Sequence, residues 1–153
     1  MSANITLDTN ILVYAFDDKN PFKQTVCTDI LKTAAAGGYR LALQTIGEFY
    51  AVTTKRRILT PQDAAHQVEK FVKGFETFLP SRGAYTVAAQ EGARGRFSYW
   101  DAVLLASAND AGCEIILSED MADAARLGAI TVRNPFGPRG LNEEARAFLG
   151  LDA

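Results

Sequence analysis

The chain alternates short apolar runs with longer amphipathic stretches. Ile5 to Leu7 reads as a short buried strand. Ile11, Leu12, Val13 and Phe16 follow at near-helical spacing, so Asp8-Thr9 marks the handover from strand to helix. Pro21 opens a second helical stretch carrying Val26, Ile30 and Leu31, and Gly37-Gly38 ends it. Arg40 to Gln44 is expected to be a strand, followed by a helix from Ile46 to Ile58. Thr60 caps the next helix, with Asp63 at the capping-box position and Val68, Phe71, Val72 and Phe75 forming its apolar stripe. Phe78 to Pro80 reads as a third strand or extended connection. Helices are expected over Thr86–Ala93 and Trp100–Ala111, then a strand at Ile115–Leu117, a short helix over Met121–Leu127 and a strand at Ile130–Val132. After a turn-rich segment (NPFGPRG), Asn142 caps a last helix from Glu143 to Leu149.

Buried strands alternating with helices predict α/β architecture with a mostly parallel sheet covered on both faces. In such sheets ligands bind beyond the carboxyl ends of the strands. Acids stand there. Asp8 follows the first strand, Glu48 is expected in the first turn of the helix after the second, and Asp120 lies three residues beyond Leu117. Asp101 opens an apolar helix. Each acid alone is explained by helix capping or solvation. Together they would repel one another strongly unless a cation joined them. Oxygen ligands suit Mg²⁺ or Mn²⁺, whereas zinc favours His or Cys. The one histidine, His66, is expected on a helix surface. Asn10 and Ser118, next to two of the acids, either support the site or cap helices.

Composition narrows the reading without naming a function. The 153 residues are 48% hydrophobic and 22% charged, which is globular and suggests one domain over 1–153. A net charge of −2 excludes a protein that coats nucleic acid by charge alone, though not an enzyme acting on it. No apolar run nears the ~20 residues that cross a bilayer, and the N-terminal stretch lacks a secretory pattern. Cys27 and Cys113 are expected as buried, reduced thiols of a cytoplasmic protein.

Read in order, the motifs LDTNIL, TIGEFY and FSYWDAVLLASANDAGCEIILSEDM, closed by TVRNPF, resemble the PIN-domain family over residues 4 to 137. The subgroup they most resemble is the VapC-type toxins of bacterial toxin–antitoxin pairs. The resemblance implies a three-layer α/β/α fold with a short, mostly parallel central sheet. It also implies a metal-dependent endoribonuclease, a homodimer and a cognate antitoxin that blocks the acidic pocket. Asp8, Glu48, Asp101 and Asp120 then hold one or two Mg²⁺ or Mn²⁺ ions, with Asp8 and Asp101 the firmest ligands. Candidate RNA contacts are Arg94, Arg96, Lys55, Arg56 and Arg57, each otherwise a solvated side chain. Tyr99 and Trp100 read as core residues, with base stacking as the alternative.

Two rivals stand beside this reading. A haloacid-dehalogenase-like phosphatase would use Asp8 as nucleophile, but it wants an acid where Asn10 stands and a lysine in the site. A non-catalytic module would bind an antitoxin without cleaving RNA. A dinucleotide site is disfavoured because no G-x-G-x-x-G follows the first strand.

Overall fold

The computed structural model describes residues 4–151. The outermost residues of the domain expected over 1–153, and the first residues of the N-terminal stretch, lie outside them. Strands β1 (Ile5–Leu7), β4 (Ile115–Leu117), β6 (Ile130–Arg133) and β5 (Arg126–Leu127) form a four-stranded sheet in the order β1-β4-β6-β5. The first three are parallel, and β5 joins antiparallel to β6. A separate parallel pair is made by β2 (Leu41–Ala42) and β3 (Thr77–Phe78). Thr6 ties it to β1 by donating to the Arg40 carbonyl at 2.7 Å.

Side-chain alternation along the strands creates two cores. Ile5, Leu7, Ile115 and Leu117 face one core, with α1 (Thr9–Tyr14), α2 (Pro21–Gly37), α3 (Leu43–Lys55), α4 (Pro61–Gly74) and α7 (Glu143–Leu149). Ile116, Ile130 and Val132 face the other, with α5 (Arg82–Arg94) and α6 (Tyr99–Asp110). The expected three-layer α/β/α arrangement with a mostly parallel sheet is therefore present. Phe16, Phe49 and Phe71 meet edge to face at 5.1 to 6.3 Å and lock α3 and α4 to the end of α1. Cys27 and Cys113 are buried and free. Among the described residues no helix is long and apolar enough to cross a membrane.

Several local expectations are corrected. The strand expected over Arg40–Gln44 is only Leu41–Ala42, because the chain turns helical at Leu43. Glu48 consequently lies in the second helical turn, not the first. The third strand is Thr77–Phe78, and Leu79 is exposed. Helix α5 starts at Arg82, four residues early, because the Ser81 hydroxyl accepts from the Ala84 N–H at 3.2 Å. The helix expected over Met121–Leu127 does not form. Ala124 takes φ +67°, and Gly128 at φ +60° reverses the chain so that Leu127 pairs with Ile130. The turn-rich tail makes a small hairpin from β7 (Phe136–Gly137) and β8 (Gly140–Leu141).

Candidate active site

The end of β1 delivers Asp8. Its N–H donates to the Leu117 carbonyl at 2.9 Å, which continues the β1–β4 ladder by one residue. Its carboxylate then caps α1, with Oδ1 accepting from the Thr9 N–H at 2.7 Å. Beyond β4 the chain places Ser118, fully buried, and Asp120. Glu48 and Val52 on α3 and Arg56 at its C-cap recur every fourth residue and so share one side. On α6, the Ser98 cap accepts from the Asp101 N–H at 3.3 Å and sets Asp101 in the first turn. These elements enclose a cavity of about 220 Å³ lined by Asp8, Asn10, Tyr14, Glu48, Arg56, Asp101 and Asp120, among others. All four predicted acids and Asn10 therefore line one cavity, although they come from four parts of the chain.

Hydroxyls and amides orient the acids. Ser118 Oγ donates to Asp8 Oδ2 at 2.7 Å and accepts from the Asp120 N–H at 3.2 Å. Thr9 Oγ1 donates to Glu48 Oε2 at 2.6 Å. Gln44 Nε2 donates to Glu48 Oε1 and to the Trp100 carbonyl, each at 3.2 Å, linking α3 to the start of α6. The amide nitrogen and oxygen of Asn10 are both buried without a protein partner.

Burial is the main cause of the site's electrostatic character. It pushes the Asp8 carboxyl up to about 6; Asp101 and Asp120 add to this, while hydrogen bonds from Ser118 and Thr9 oppose it. Burial also raises Asp101, opposed by Ser98 and assisted by Asp120 and Glu48. Mutual charge was the expected cause, and it proves secondary to desolvation.

The donor chemistry fits a hard divalent cation. The cavity offers carboxylate, amide and hydroxyl oxygens, without histidine or cysteine, plus an unpartnered Asn10 amide. Among the described residues no group of three or more acid, histidine or cysteine side chains stands close enough together to hold a metal ion as it is. The four acids line the cavity, with Glu48 held by Thr9 and Gln44.

The predicted cations divide sharply. Arg56 lines the cavity, whereas Lys55 and Arg57 do not. Arg94 and Arg96 turn to the buried Glu91, at 3.5 and 3.2 Å, and Arg96 also donates to the Arg126 carbonyl. Both arginine side chains nonetheless stay more than half exposed, at 65% and 51%. The core expectation for Tyr99 and Trp100 is overturned: they are 38% and 60% exposed and pack edge to face against each other. His66 is exposed, as expected. No lysine lines the cavity, which removes the dehalogenase-like arrangement. The sequence reading missed Tyr14 and Gln44. Tyr14 stands one helical turn beyond Asn10, and Gln44 one turn before Glu48, so helical spacing from each could have found them.

A family model described as PIN domain matches residues 5–128. No curated protein sequence matches the chain. Among solved structures, it is similar to VapBC2 from Rickettsia felis bound to a promoter DNA fragment (TM-score 0.60, 16% identity, 85% of this chain and 97% of that one). It is also similar to DNA-bound VapBC from Salmonella typhimurium (TM-score 0.60, 18% identity, 86% and 98%). A third is VapC20 of Mycobacterium tuberculosis, described as a sarcin-ricin loop cleaving toxin (TM-score 0.56, 13% identity, 76% and 89%). At these identities the likeness is one of fold.

Proposed function

The chain belongs to the PIN-domain family, and from that premise we propose that it is a metal-dependent endoribonuclease, the toxin of a VapBC-type toxin–antitoxin pair. The observation that carries this reading is the convergence of Asp8, Glu48, Asp101 and Asp120 on one cavity. Asp8 and Asp101 are the firmest ligands for Mg²⁺ or Mn²⁺, with Asp120 and Glu48 binding directly or through water. When bound, such an ion offsets charge on the scissile phosphate and makes water a better nucleophile.

The chain's own residues do the positioning. Ser118 and Thr9 fix the Asp8 carboxylate, and Thr9 with Gln44 fixes Glu48. The Asn10 amide donates to a phosphate oxygen or accepts from the attacking water. Arg56, at the cavity wall, meets a flanking phosphate of the RNA backbone. In-line attack by water breaks the bond from phosphorus to the 3′ oxygen and leaves a 5′-phosphate and a 3′-hydroxyl. The partners proposed are an RNA substrate, a cognate antitoxin covering the cavity, and a second copy of the chain, all in the cytoplasm. The antitoxin is supported by the fold it shares with VapBC complexes.

The test incubates purified protein with cellular RNA in Mn²⁺ or in EDTA and maps the new 5′ ends. Discrete cleavage that needs the ion and disappears in Asp101→Asn supports the reading. Intact RNA together with binding of a co-expressed antitoxin would replace it with the non-catalytic module.

A further inference from the structure

The Asp120 carboxylate accepts no hydrogen bond among the described residues, unlike those of Asp8 and Glu48. Its backbone N–H donates to the Ser118 hydroxyl oxygen, but its side chain is placed only by the turn that carries it. The preceding residue, Glu119, is held from the other direction. Glu119 Oε1 accepts from the Tyr14 hydroxyl at 2.7 Å, and Oε2 accepts from Lys23 Nζ at 2.5 Å. Lys23 also donates to the Tyr14 hydroxyl at 3.3 Å and lies 4.7 Å over its ring and 5.2 Å over that of Phe136. The paired Lys23 and Glu119 side chains are each only 25% exposed. Burial alone would raise Glu119, but the Lys23 and Tyr14 bonds bring it below its ordinary value. Three elements thus meet at one carboxylate: the end of α1, the first turn of α2 and the loop after β4.

We infer that the Lys23–Glu119–Tyr14 clasp is a positioning device that holds Asp120 at the cavity for the divalent ion. The inference rests on the proposed metal site and extends it to three residues outside the acid set. Tyr14 lines the cavity as well, so the clasp couples its wall to the Asp120 turn. Lys23 spends its charge on Glu119 instead of the ligand acids, leaving the cavity negative.

The two ends of the ion pair provide a test that separates positioning from simple field effects. Lys23→Met removes a positive charge near the site, so a field effect alone would tighten cation binding. Glu119→Gln removes a negative charge, so a field effect alone would weaken it. Positioning weakens binding in both, by about tenfold or more, as loss of an outer support does at metal sites. Mn²⁺ affinity is read directly from the free-ion electron paramagnetic resonance signal, with melting of the metal-free protein measured alongside. The expected result is weaker Mn²⁺ binding in both variants, a double variant no weaker than the poorer single, and recovery in Lys23→Arg. On RNA, kcat falls while KM holds. Wild type that binds Mn²⁺, with variants that bind equally well or shift in opposite directions, overturns the inference and leaves the functional reading standing. Wild type that binds no Mn²⁺ overturns the functional reading and the inference with it.

Discussion

Ser118 donates its hydroxyl hydrogen to Asp8 Oδ2 at 2.7 Å across 110 positions of sequence. The same oxygen accepts from the Asp120 and Met121 N–H groups, at 3.2 and 3.4 Å. One buried hydroxyl therefore joins the ends of β1 and β4, orienting the Asp8 carboxylate and fixing the backbone of the turn that carries Asp120. Ser118→Ala leaves a buried carboxylate oxygen and the turn's N–H groups short of partners. The expected loss is about 1–3 kcal/mol of stability, read as a lower urea midpoint, with weaker Mn²⁺ binding. Ser118→Thr, which keeps the hydroxyl, should recover the affinity.

Asp8 gives the metal-free protein a defined pH dependence. Its folded pKa is about 6 against an ordinary 3.8. Below 3.8 both states hold the proton and the group contributes nothing. Between 3.8 and 6 the unfolded chain ionises first, so stability falls as pH rises. Above 6 the penalty is complete, about 3 kcal/mol. In EDTA, wild type should be more stable at pH 4.5 than at pH 7, and Asp8→Asn should flatten much of that difference. Saturating Mn²⁺ should reverse the trend, because the ligand is the ionised acid and binding favours the folded state. Equal pH profiles for wild type and Asp8→Asn in EDTA would refute the buried-acid account.

The arginines should separate by function. Arg56 lines the cavity, whereas Arg96 pairs with the buried Glu91 at 3.2 Å. Arg56→Ala should raise KM for RNA and lower the salt dependence of binding by about one phosphate contact, with stability nearly unchanged. Arg96→Ala should do the converse: a lower melting temperature, since Glu91 loses a partner, and unchanged KM.

Backbone strain predicts two stability changes of opposite sign. Arg57 follows α3 with φ 56°, a conformation costly for any side chain. Arg57→Gly should stabilise by up to about 1 kcal/mol, roughly 2–4 °C in melting temperature. Gly128 has φ +60°, and an added Cβ would sit 2.8 Å from Asn109 Nδ2. Gly128→Ala should destabilise by about 1–2 kcal/mol or more. Differential scanning calorimetry in EDTA checks both.

Much of the fold and the acid set could be read along the chain because their causes are local. The β1–α1 junction follows from an apolar triplet, then an Asp whose own oxygen accepts from the next N–H. Asp101 follows from its place at the start of an uninterrupted apolar helix, and Asn142 and Thr60 cap where their residue types say they should. The failures also had local shape but nonlocal causes. Met121–Leu127 has helix-forming composition, yet pairing with β6 outweighs that preference.

The residues surrounding the acids were decided only when the chain folded. That Arg94 and Arg96 reach Glu91 shows only in the folded chain, and Trp100 looks like core until α6 turns it outward. Ser118 meets Asp8, and Lys23 meets Glu119, across about a hundred residues. Strand and cap patterns are short-range properties that each segment carries alone. A charge partner, a hydrogen-bond acceptor or a degree of exposure belongs to pairs of distant segments, and only packing brings those together.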